Sequence, residues 1–331
     1  MAREIRWTVV ITDYNYPDLH IEETELANWE ARVVPAQCRT PEEVLSVAEE
    51  ADAIISQYAP ITRKVIRGLK RCKVIGRYGI GVDNIDVDAA TEAGIAVINV
   101  PSYCEEEVSD HVMAFLLAWA RRVVHYTREV EHGAWDWKTG RPIYRLQGQT
   151  LGLLGFGKIA RLVARKAKVF GFKIIACDPY VPDEIFTAEG VQKVEFDQLL
   201  KESDFLSIHV PLTPETRHLI NSTTLSKMKP TACLINTARG GIVDKEALYQ
   251  ALKAGKLAGA CLDVIEPEPP DPNDPLLRLP QVLWSPHVAW YSEGSLLELR
   301  TKLARDVGRA LHGLMPTGLV NRSLASRFQP G

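Results

Sequence analysis

The chain has 331 residues, of which 46% are hydrophobic, so it can bury a large core and is long enough for two domains. Its 39 basic and 42 acidic side chains give a net charge of −3, and no basic block is present that could follow a nucleic-acid backbone. The longest apolar run, Val112 to Ala120, is about half the length of a membrane span. Nucleic acid and membranes are therefore not expected as partners.

The first residues, MAREIRWTVVITDY, do not form a secretory signal, because Glu4 and Arg6 precede only a short apolar run. The six cysteines lie far apart, mostly in apolar strand-like segments, and form no CxxC pair. Buried reduced thiols are typical of such a pattern. We therefore expect a soluble cytoplasmic protein without a metal site or a disulfide framework.

Short β-branched runs alternate with helix-like runs in the first hundred or so residues. The predicted strands are TVVITDY, ADAIISQ, KVIGRYG and IAVINV, and the predicted helices are PEEVLSVAEE, TRKVIRGLK and VDAATEAG. This alternation predicts βαβ units around a parallel sheet. A doubly wound α/β domain is expected here.

The rest of the chain repeats the alternation after a long predicted helix from Glu105 to Val130, in which apolar residues recur at three- and four-residue steps. The strands predicted beyond it are TLGLLG, KIIACD, FLSIHV, ACLINTA, AGACLDV and VLWSPH, with helices KIARLVARKAKVF, EFDQLLKES and DKEALYQALKAG between them. A last helix, Ser292 to Gly313, could return to the first domain. The predicted organisation is two doubly wound parallel-sheet α/β domains, residues 1–102 with 293–331 and residues 103–292.

A glycine-rich turn joins the strand TLGLLG to the helix that follows it. The turn has the pattern GxGxxA. Gly155 permits a tight turn, Gly157 lets the backbone approach a pyrophosphate, and the N-terminus of the helix supplies free N–H groups. A lone motif is weak evidence, and a glycine turn without ligand is the alternative. Here the strand, turn and helix are followed by a second strand that ends at Asp178, which is the context that dinucleotide binding requires. Asp178 should accept hydrogen bonds from the adenosine ribose and repel a 2′-phosphate, which predicts NAD rather than NADP.

Three consecutive predicted strands end near side chains suited to acid–base chemistry, namely Arg239, Asp263 with Glu266 and Glu268, and His287. Ligands bind at the carboxyl ends of parallel strands, so these side chains should converge. An arginine fork can hold a carboxylate and polarise the adjacent carbonyl, while a histidine beside a carboxylate can donate a proton as hydride reaches carbon. By spacing alone, either Glu266 or Glu268 could be the carboxylate beside the histidine. The alternatives are a surface ion pair for Arg239 and a satisfied core histidine for His287.

Together, the GxGxxA turn and the motifs NTARGG, LDVxExEP and SPH resemble the D-isomer-specific 2-hydroxyacid dehydrogenases, over nearly the whole chain from Lys73 to His312. The stretches GRYGIGVDNIDVDAA and SPHVAWYSEGSLLELR are most similar to the C-terminal-binding-protein and phosphoglycerate-dehydrogenase-like branch. The resemblance implies a flavodoxin-like substrate domain, a Rossmann NAD domain, and interconversion of 2-keto acids and D-2-hydroxy acids. It assigns the catalytic carboxylate to Glu268 and leaves Glu266 without a catalytic role.

The resemblance also implies the remaining site residues. Ile80 and Gly81 would offer backbone N–H groups to the substrate carboxylate across a domain cleft. Arg77 and Trp290 would line the substrate pocket, with an interdomain ion pair and a core aromatic as alternatives. The predicted cofactor contacts are Gly155, Phe156, Gly157, Lys158, Ile159, Asp178, Val210, Thr216, Thr237, Ala238 and, at the nicotinamide amide, Asp263.

The region from Glu105 to Gln149 matches the family's dimer-forming segment, so a homodimer through the NAD-binding domain is expected. Trp135 or Trp137 could then reach a neighbouring subunit's pocket.

Two other interpretations differ in specific features. The formate-oxidising branch carries glutamine where this chain has Glu268. An NAD-sensing corepressor-like scaffold would keep the same catalytic set but act mainly by binding partners, and such scaffolds tend to have a long disordered tail, whereas Gly331 follows soon after the last predicted helix. The prediction is therefore an NAD-dependent dehydrogenase suited to 2-keto acid reduction.

Overall fold

The computed structural model describes residues 5–330, so Glu4 and Gly331 lie outside the described residues. The chain forms two compact units. One contains the residues through Tyr103 together with those from Ser292 onward, and the other runs from Cys104 to Tyr291. Each unit is built around one parallel sheet, which confirms the predicted fold class of two parallel-sheet α/β domains.

The first unit has a five-stranded parallel sheet in the order β2-β1-β3-β4-β5. Its strands are β1 (Trp7–Ile11), β2 (Ala31–Pro35), β3 (Ala53–Ser56), β4 (Val74–Arg77) and β5 (Ala96–Ile98). Its helices are α1 (His20–Ala27), α2 (Pro41–Ala48), α3 (Arg63–Gly68), α4 (Val87–Glu92) and α12 (Glu293–Leu311). The central strands are apolar and buried because helices cover the sheet. β2 gives only a weak sequence signal, since it is a partly exposed edge strand.

A buried ionic network in this unit joins α1, α12 and the residue that follows β4. Glu22 is fully buried, and Nε and Nη2 of Arg300 donate to its two carboxylate oxygens at 2.8 and 2.7 Å. The Tyr78 hydroxyl donates to the same carboxylate at 2.9 Å. Burial, followed by the negative charge of Glu22, raises the pKa of Tyr78 well above its ordinary value, so Tyr78 remains a donor. A buried carboxylate persists only when it is paired and hydrogen-bonded, so these contacts hold α12 in place.

Tyr78→Phe is expected to lower the free energy of unfolding by at least about 1.5 kcal/mol, because the lost hydrogen bond is made to a buried charge. Tyr16→Phe is the matched control. The Tyr16 ring packs against Tyr78, but its buried hydroxyl has no hydrogen-bond partner among the described residues. Its removal should therefore be neutral or stabilising. Urea unfolding followed by circular dichroism measures both changes, and equal losses in the two variants would contradict this role for Tyr78.

The second unit has a seven-stranded parallel sheet in the order β12-β11-β10-β9-β6-β7-β8. Its strands are β6 (Thr150–Leu154), β7 (Lys173–Cys177), β8 (Gln192–Lys193), β9 (Phe205–Ile208), β10 (Cys233–Asn236), β11 (Gly259–Leu262) and β12 (Val282–Trp284). Its helices are α5 (Glu105–Ala120), α6 (Val123–Glu131), α7 (Lys158–Val169), α8 (Asp183–Ala188), α9 (Phe196–Glu202), α10 (Ser222–Leu225) and α11 (Lys245–Lys253). The strand order reverses between β6 and β9, which creates the switch point where dinucleotides bind in such sheets.

The predicted single helix from Glu105 to Val130 is wrong, because the structure has α5 and α6 in its place. The break lies at Arg122, whose backbone is left-handed with φ 58° and whose guanidinium lies 4.4 Å from the ring centroid of Trp119. Apolar residues recur in both helices, so the periodicity does not reveal the break.

The helix ends predicted at Ser292 and Gly313 are confirmed. The Ser292 hydroxyl accepts a hydrogen bond from the Ser295 N–H at 2.9 Å, and α12 ends just before Gly313, which has φ 74°. Among the described residues, no helix is long and apolar enough to cross a membrane.

Candidate active site

The glycine-rich turn lies at the carboxyl end of β6, beside the switch point. Gly155 has φ +91°, and a Cβ there would lie 2.9 Å from the carbonyl carbon of His209, so only glycine fits. A Cβ on Gly157 would meet no atom within 4 Å, which leaves open space at the start of α7. The turn also contains buried Phe156 and, in the first turn of α7, Lys158 and Ile159. This bare backbone at a helix N-terminus fits a pyrophosphate.

Asp178 follows β7 and is fixed beside the glycine-rich turn. Its Oδ2 accepts a hydrogen bond from the Phe156 N–H at 2.8 Å, and its Oδ1 accepts one from the Tyr180 N–H at 2.9 Å. Each carboxylate oxygen can accept a further bond, so a ribose hydroxyl could still donate to Asp178. The arrangement fits the adenosine half of a dinucleotide.

The remaining predicted cofactor contacts follow the next strands, with Val210 and Thr216 in the loop after β9 and Thr237 and Ala238 after β10. The Thr216 hydroxyl donates to the Pro211 carbonyl at 2.6 Å, so it stabilises its own loop. All four residues lie in connections that leave the carboxyl edge of the sheet. Their contacts with a cofactor stay a prediction.

Arg239 lies between β10 and a short 3₁₀ helix, Gly240–Ile242. The nearly fully buried Asn236 side chain braces this turn, since its Nδ2 donates to the Arg239 carbonyl at 2.9 Å. A Cβ on Gly240 would lie 2.2 Å from the carbonyl carbon of Ile265, so glycine allows the turn to pack directly on the loop that leads to Glu268. Asn236 was not predicted as a site residue, although it begins the NTARGG motif.

His287 and Glu268 form a hydrogen-bonded pair. His287 Nδ1 lies 2.7 Å from Glu268 Oε2, and Glu268 Oε1 accepts from the Ile265 N–H at 3.2 Å. Both side chains are about one-third exposed, at 33% and 36%. An ionised carboxylate can only accept, so the proton of this bond belongs to Nδ1, and Nε2 is left for a substrate.

Glu268 is held in its ionised form. Burial opposes its ionisation, but hydrogen bonds from His287 and the Ile265 N–H, together with the charge of Arg239, outweigh burial and hold the pKa of Glu268 below its ordinary value. The stability that this lowered pKa provides is therefore present above the pKa of an unfolded glutamate. It is lost as the pH falls through the lower folded value.

Glu266 has a different partner. Nη1 and Nη2 of Arg217 donate to its two carboxylate oxygens at 2.8 and 3.1 Å. Both side chains are nearly half exposed, at 48% and 43%. Of the two glutamates that spacing left open, only Glu268 is hydrogen-bonded to His287 among the described residues.

Asp263 follows β11, and its carboxylate is directed at the loop that carries His287. Its side chain is 1% exposed. Oδ1 accepts from the Ser285 hydroxyl and from the Val288 N–H at 2.9 Å, and Oδ2 accepts from the Ala289 N–H at 3.0 Å. The predicted contact with a nicotinamide amide stays a prediction, and the described bonds show that Asp263 organises this loop.

The predicted substrate residues fall in both units. Trp290 belongs to the second unit, and its Nε1 donates to the His287 carbonyl at 2.9 Å. Arg77 ends β4 of the first unit, and Ile80 and Gly81 lie in the turn beyond it. The Ile80 carbonyl accepts from Asn99 Nδ2 at 2.6 Å, which anchors that turn. Substrate contact by these four residues stays a prediction.

Residues 113–289 match the family model described as "D-isomer specific 2-hydroxyacid dehydrogenase, NAD binding domain". The chain is 40% identical to D-3-phosphoglycerate dehydrogenase of Methanocaldococcus jannaschii over 95% of its own length, but spans only 59% of that protein. It is 39% identical to glyoxylate reductase of Korarchaeum cryptofilum, over 94% of this chain and 93% of the relative. The crystal structure of Aquifex aeolicus D-lactate dehydrogenase with NAD and lactic acid is similar, with a TM-score of 0.84, 30% identity, and coverage of 92% and 96% of the two chains.

These matches agree with the geometry of the second unit. The family model spans the glycine-rich turn, Asp178 and the strand ends that carry Arg239, Glu268 and His287. They confirm the NAD-binding domain and do not favour the scaffold alternative. The chain therefore belongs to the D-isomer-specific 2-hydroxyacid dehydrogenase family, whose members are NAD-dependent oxidoreductases.

Proposed function

We propose that the protein reduces a 2-keto acid to the corresponding D-2-hydroxy acid with NADH. The observation that carries this proposal is the hydrogen-bonded pair of His287 and Glu268 beside Arg239, at the carboxyl edge of the NAD-binding sheet. A bound nicotinamide cofactor supplies the hydride. Substrate binding, polarisation of the ketone and proton transfer are assigned to side chains of this site.

Arg239 would hold the substrate carboxylate and polarise the adjacent ketone with its planar fork. His287 Nε2 would donate a proton to the ketone oxygen. Glu268, which is ionised at neutral pH, would orient the ring through Nδ1 and stabilise the imidazolium form. In the reverse direction, neutral His287 would accept the proton from the hydroxy acid.

The first unit would serve as the substrate domain and the second as the NAD-binding domain. Ile80, Gly81, Arg77 and Trp290 would complete substrate binding. The similar proteins include a glyoxylate reductase and a D-lactate dehydrogenase crystallised with lactic acid, which supports a small 2-keto acid as substrate. A cytoplasmic location remains a prediction from the sequence.

NADH is expected to give a kcat/KM at least roughly tenfold above that of NADPH, equivalent to about 1.4 kcal/mol. The carboxylate of Asp178 is held in place by two backbone N–H groups and would repel a 2′-phosphate. Steady-state assays with glyoxylate, pyruvate, hydroxypyruvate and 2-ketoglutarate would measure this preference and identify the substrate. Asp178→Asn should reduce the ratio between the kcat/KM values measured with NADH and with NADPH.

Equal kcat/KM values with NADH and NADPH would contradict the proposal that Asp178 selects NADH over NADPH. If NADH binds but no keto acid of any size is reduced, the proposed reaction fails and the scaffold alternative gains support.

We also propose that the protein is a homodimer through α6 and the segment that follows it. None of the nine residues of α6, all of them described, is buried. Val123 and Val130 are 53% and 48% exposed, and Trp135 and Trp137 beyond them are 90% and 67% exposed. Large apolar side chains gathered along one segment indicate a surface that another chain covers.

Trp135→Glu combined with Val130→Glu is expected to convert the dimer to a monomer, because two charges would be buried in the interface. Light scattering coupled to size-exclusion chromatography would report the mass. Val47→Glu, at a 42% exposed valine of α2, is the control and should leave the mass unchanged. A dimer that persists in the double variant would place the interface elsewhere.

A further inference from the structure

We propose that His111, Ser285 and Asp263 form a hydrogen-bond chain that holds His287 in its working conformation. His111 and Ser285 are then positioning residues for the reaction. This inference rests on the proposed function, in which His287 is the acid.

The chain of contacts runs from α5 to the loop after β12. His111 Nε2 lies 2.8 Å from the Ser285 hydroxyl, which donates to Asp263 Oδ1. The two oxygens of Asp263 also accept from the N–H groups of Val288 and Ala289. The His111 side chain is 24% exposed and that of Asp263 is 1% exposed, so water competes little for these bonds.

One arrangement of protons satisfies every group in this chain. A carboxylate only accepts hydrogen bonds, so the single hydroxyl proton of Ser285 must be donated to Asp263. The Ser285 oxygen then accepts from His111, which must carry a proton on Nε2. Burial lowers the pKa of His111 and the charge of Asp263 opposes the change, so His111 is neutral with Nε2 as its donor nitrogen.

Asp263 accepts hydrogen bonds from three successive N–H groups of the loop that carries His287. Its backbone carbonyl accepts from the His287 N–H at 2.8 Å, while its carboxylate accepts from Val288 and Ala289. His287 adopts a left-handed backbone with φ 53°, a conformation that a residue other than glycine keeps only when its surroundings impose it. The bonds to Asp263 impose that conformation and so direct the imidazole towards Glu268.

His111 and Ser285 keep the Asp263 carboxylate in one orientation. Without the Ser285 hydroxyl, Oδ1 loses a partner and the His111 N–H loses its acceptor. The carboxylate can then rotate, and the loop shifts with it. A small displacement of an acid from its substrate lowers the rate of proton transfer without weakening cofactor binding, which separates this role from a direct contact with the cofactor.

The experiment compares Ser285→Ala, Ser285→Thr, His111→Phe and His111→Gln with the unchanged protein. Ser285→Ala and His111→Phe are each expected to lower kcat for keto-acid reduction about tenfold and to leave the NADH dissociation constant within about twofold. Ser285→Thr keeps the hydroxyl and His111→Gln keeps a donor, so both should recover much of the loss. The double variant Ser285→Ala with His111→Phe should be no slower than either single variant, because both break the same chain.

His287→Asn separates the failure of this inference from the failure of the proposed function. If Ser285→Ala and His111→Phe keep full kcat while His287→Asn is inactive, the inference is overturned and the function stands. A loss of NADH affinity in place of kcat would also overturn it, since Ser285 and Asp263 would then serve the cofactor. Full activity of His287→Asn would contradict the function itself. If Ser285→Ala does not fold, the two His111 variants decide the question.

Discussion

Arg239→Lys is expected to lose at least about 100-fold in kcat/KM for the keto acid, which corresponds to about 2.7 kcal/mol. Lysine keeps the positive charge but lacks the planar fork that can grip a carboxylate and a carbonyl together. The turn around Arg239 is held by Asn236 and by the close packing of Gly240 on Ile265, so the backbone should not move to compensate. NADH should bind within about twofold of the unchanged affinity, since the guanidinium acts on the substrate.

Arg217→Lys is the control for Arg239→Lys, because Arg217 makes a similar two-bond contact but with the exposed Glu266. It should retain nearly full turnover, since an exposed ion pair contributes little. Steady-state kinetics and fluorescence titration with NADH would measure both variants. Near-native turnover of Arg239→Lys would show that another cation binds the substrate, and Arg77 would be the first candidate.

Glu268→Gln is expected to move the pH at which keto-acid reduction declines downwards. Glutamine keeps the shape of the side chain but removes the charge that favours the protonated form of His287. Because the pKa of Glu268 is lowered, the glutamate is ionised throughout the neutral and alkaline range, so the loss should be greatest there. Oxidation of the hydroxy acid, which needs neutral His287, should extend to lower pH.

Glu266→Gln separates the two glutamates. Its carboxylate is held by Arg217, so removing its charge should leave both pH profiles nearly unchanged. The measurement is kcat/KM against pH for the three proteins. A shifted profile in Glu266→Gln, with Glu268→Gln unaltered, would show that the acid–base partner was wrongly assigned.

Several features of this protein follow from short stretches of sequence alone. The alternation of β-branched and helical runs predicted two parallel-sheet domains, because buried parallel strands are apolar on both faces. The GxGxxA turn depends on backbone freedom at Gly155, and the start of α12 depends on Ser292, whose side chain accepts from the Ser295 N–H at 2.9 Å. Each of these features is decided by residues a few positions apart.

Other features depend on contacts that no local pattern encodes. Spacing could not choose between Glu266 and Glu268, and the choice follows from where Arg217 and His287 lie after folding. The break at Arg122 was missed because a single left-handed residue leaves the apolar periodicity intact.

His111 gives no sequence signal of a role at the site, because its partner Ser285 lies 174 positions further along the chain. In sequence it is one polar residue on a helix. The packing of α5 on the sheet, against β10 and β11, brings it to the loop that follows β12. The sequence by itself thus determined the cofactor turn and the identity of the strand-end side chains, whereas the tertiary structure decided which of them are paired, since pairing requires residues distant in the chain to meet.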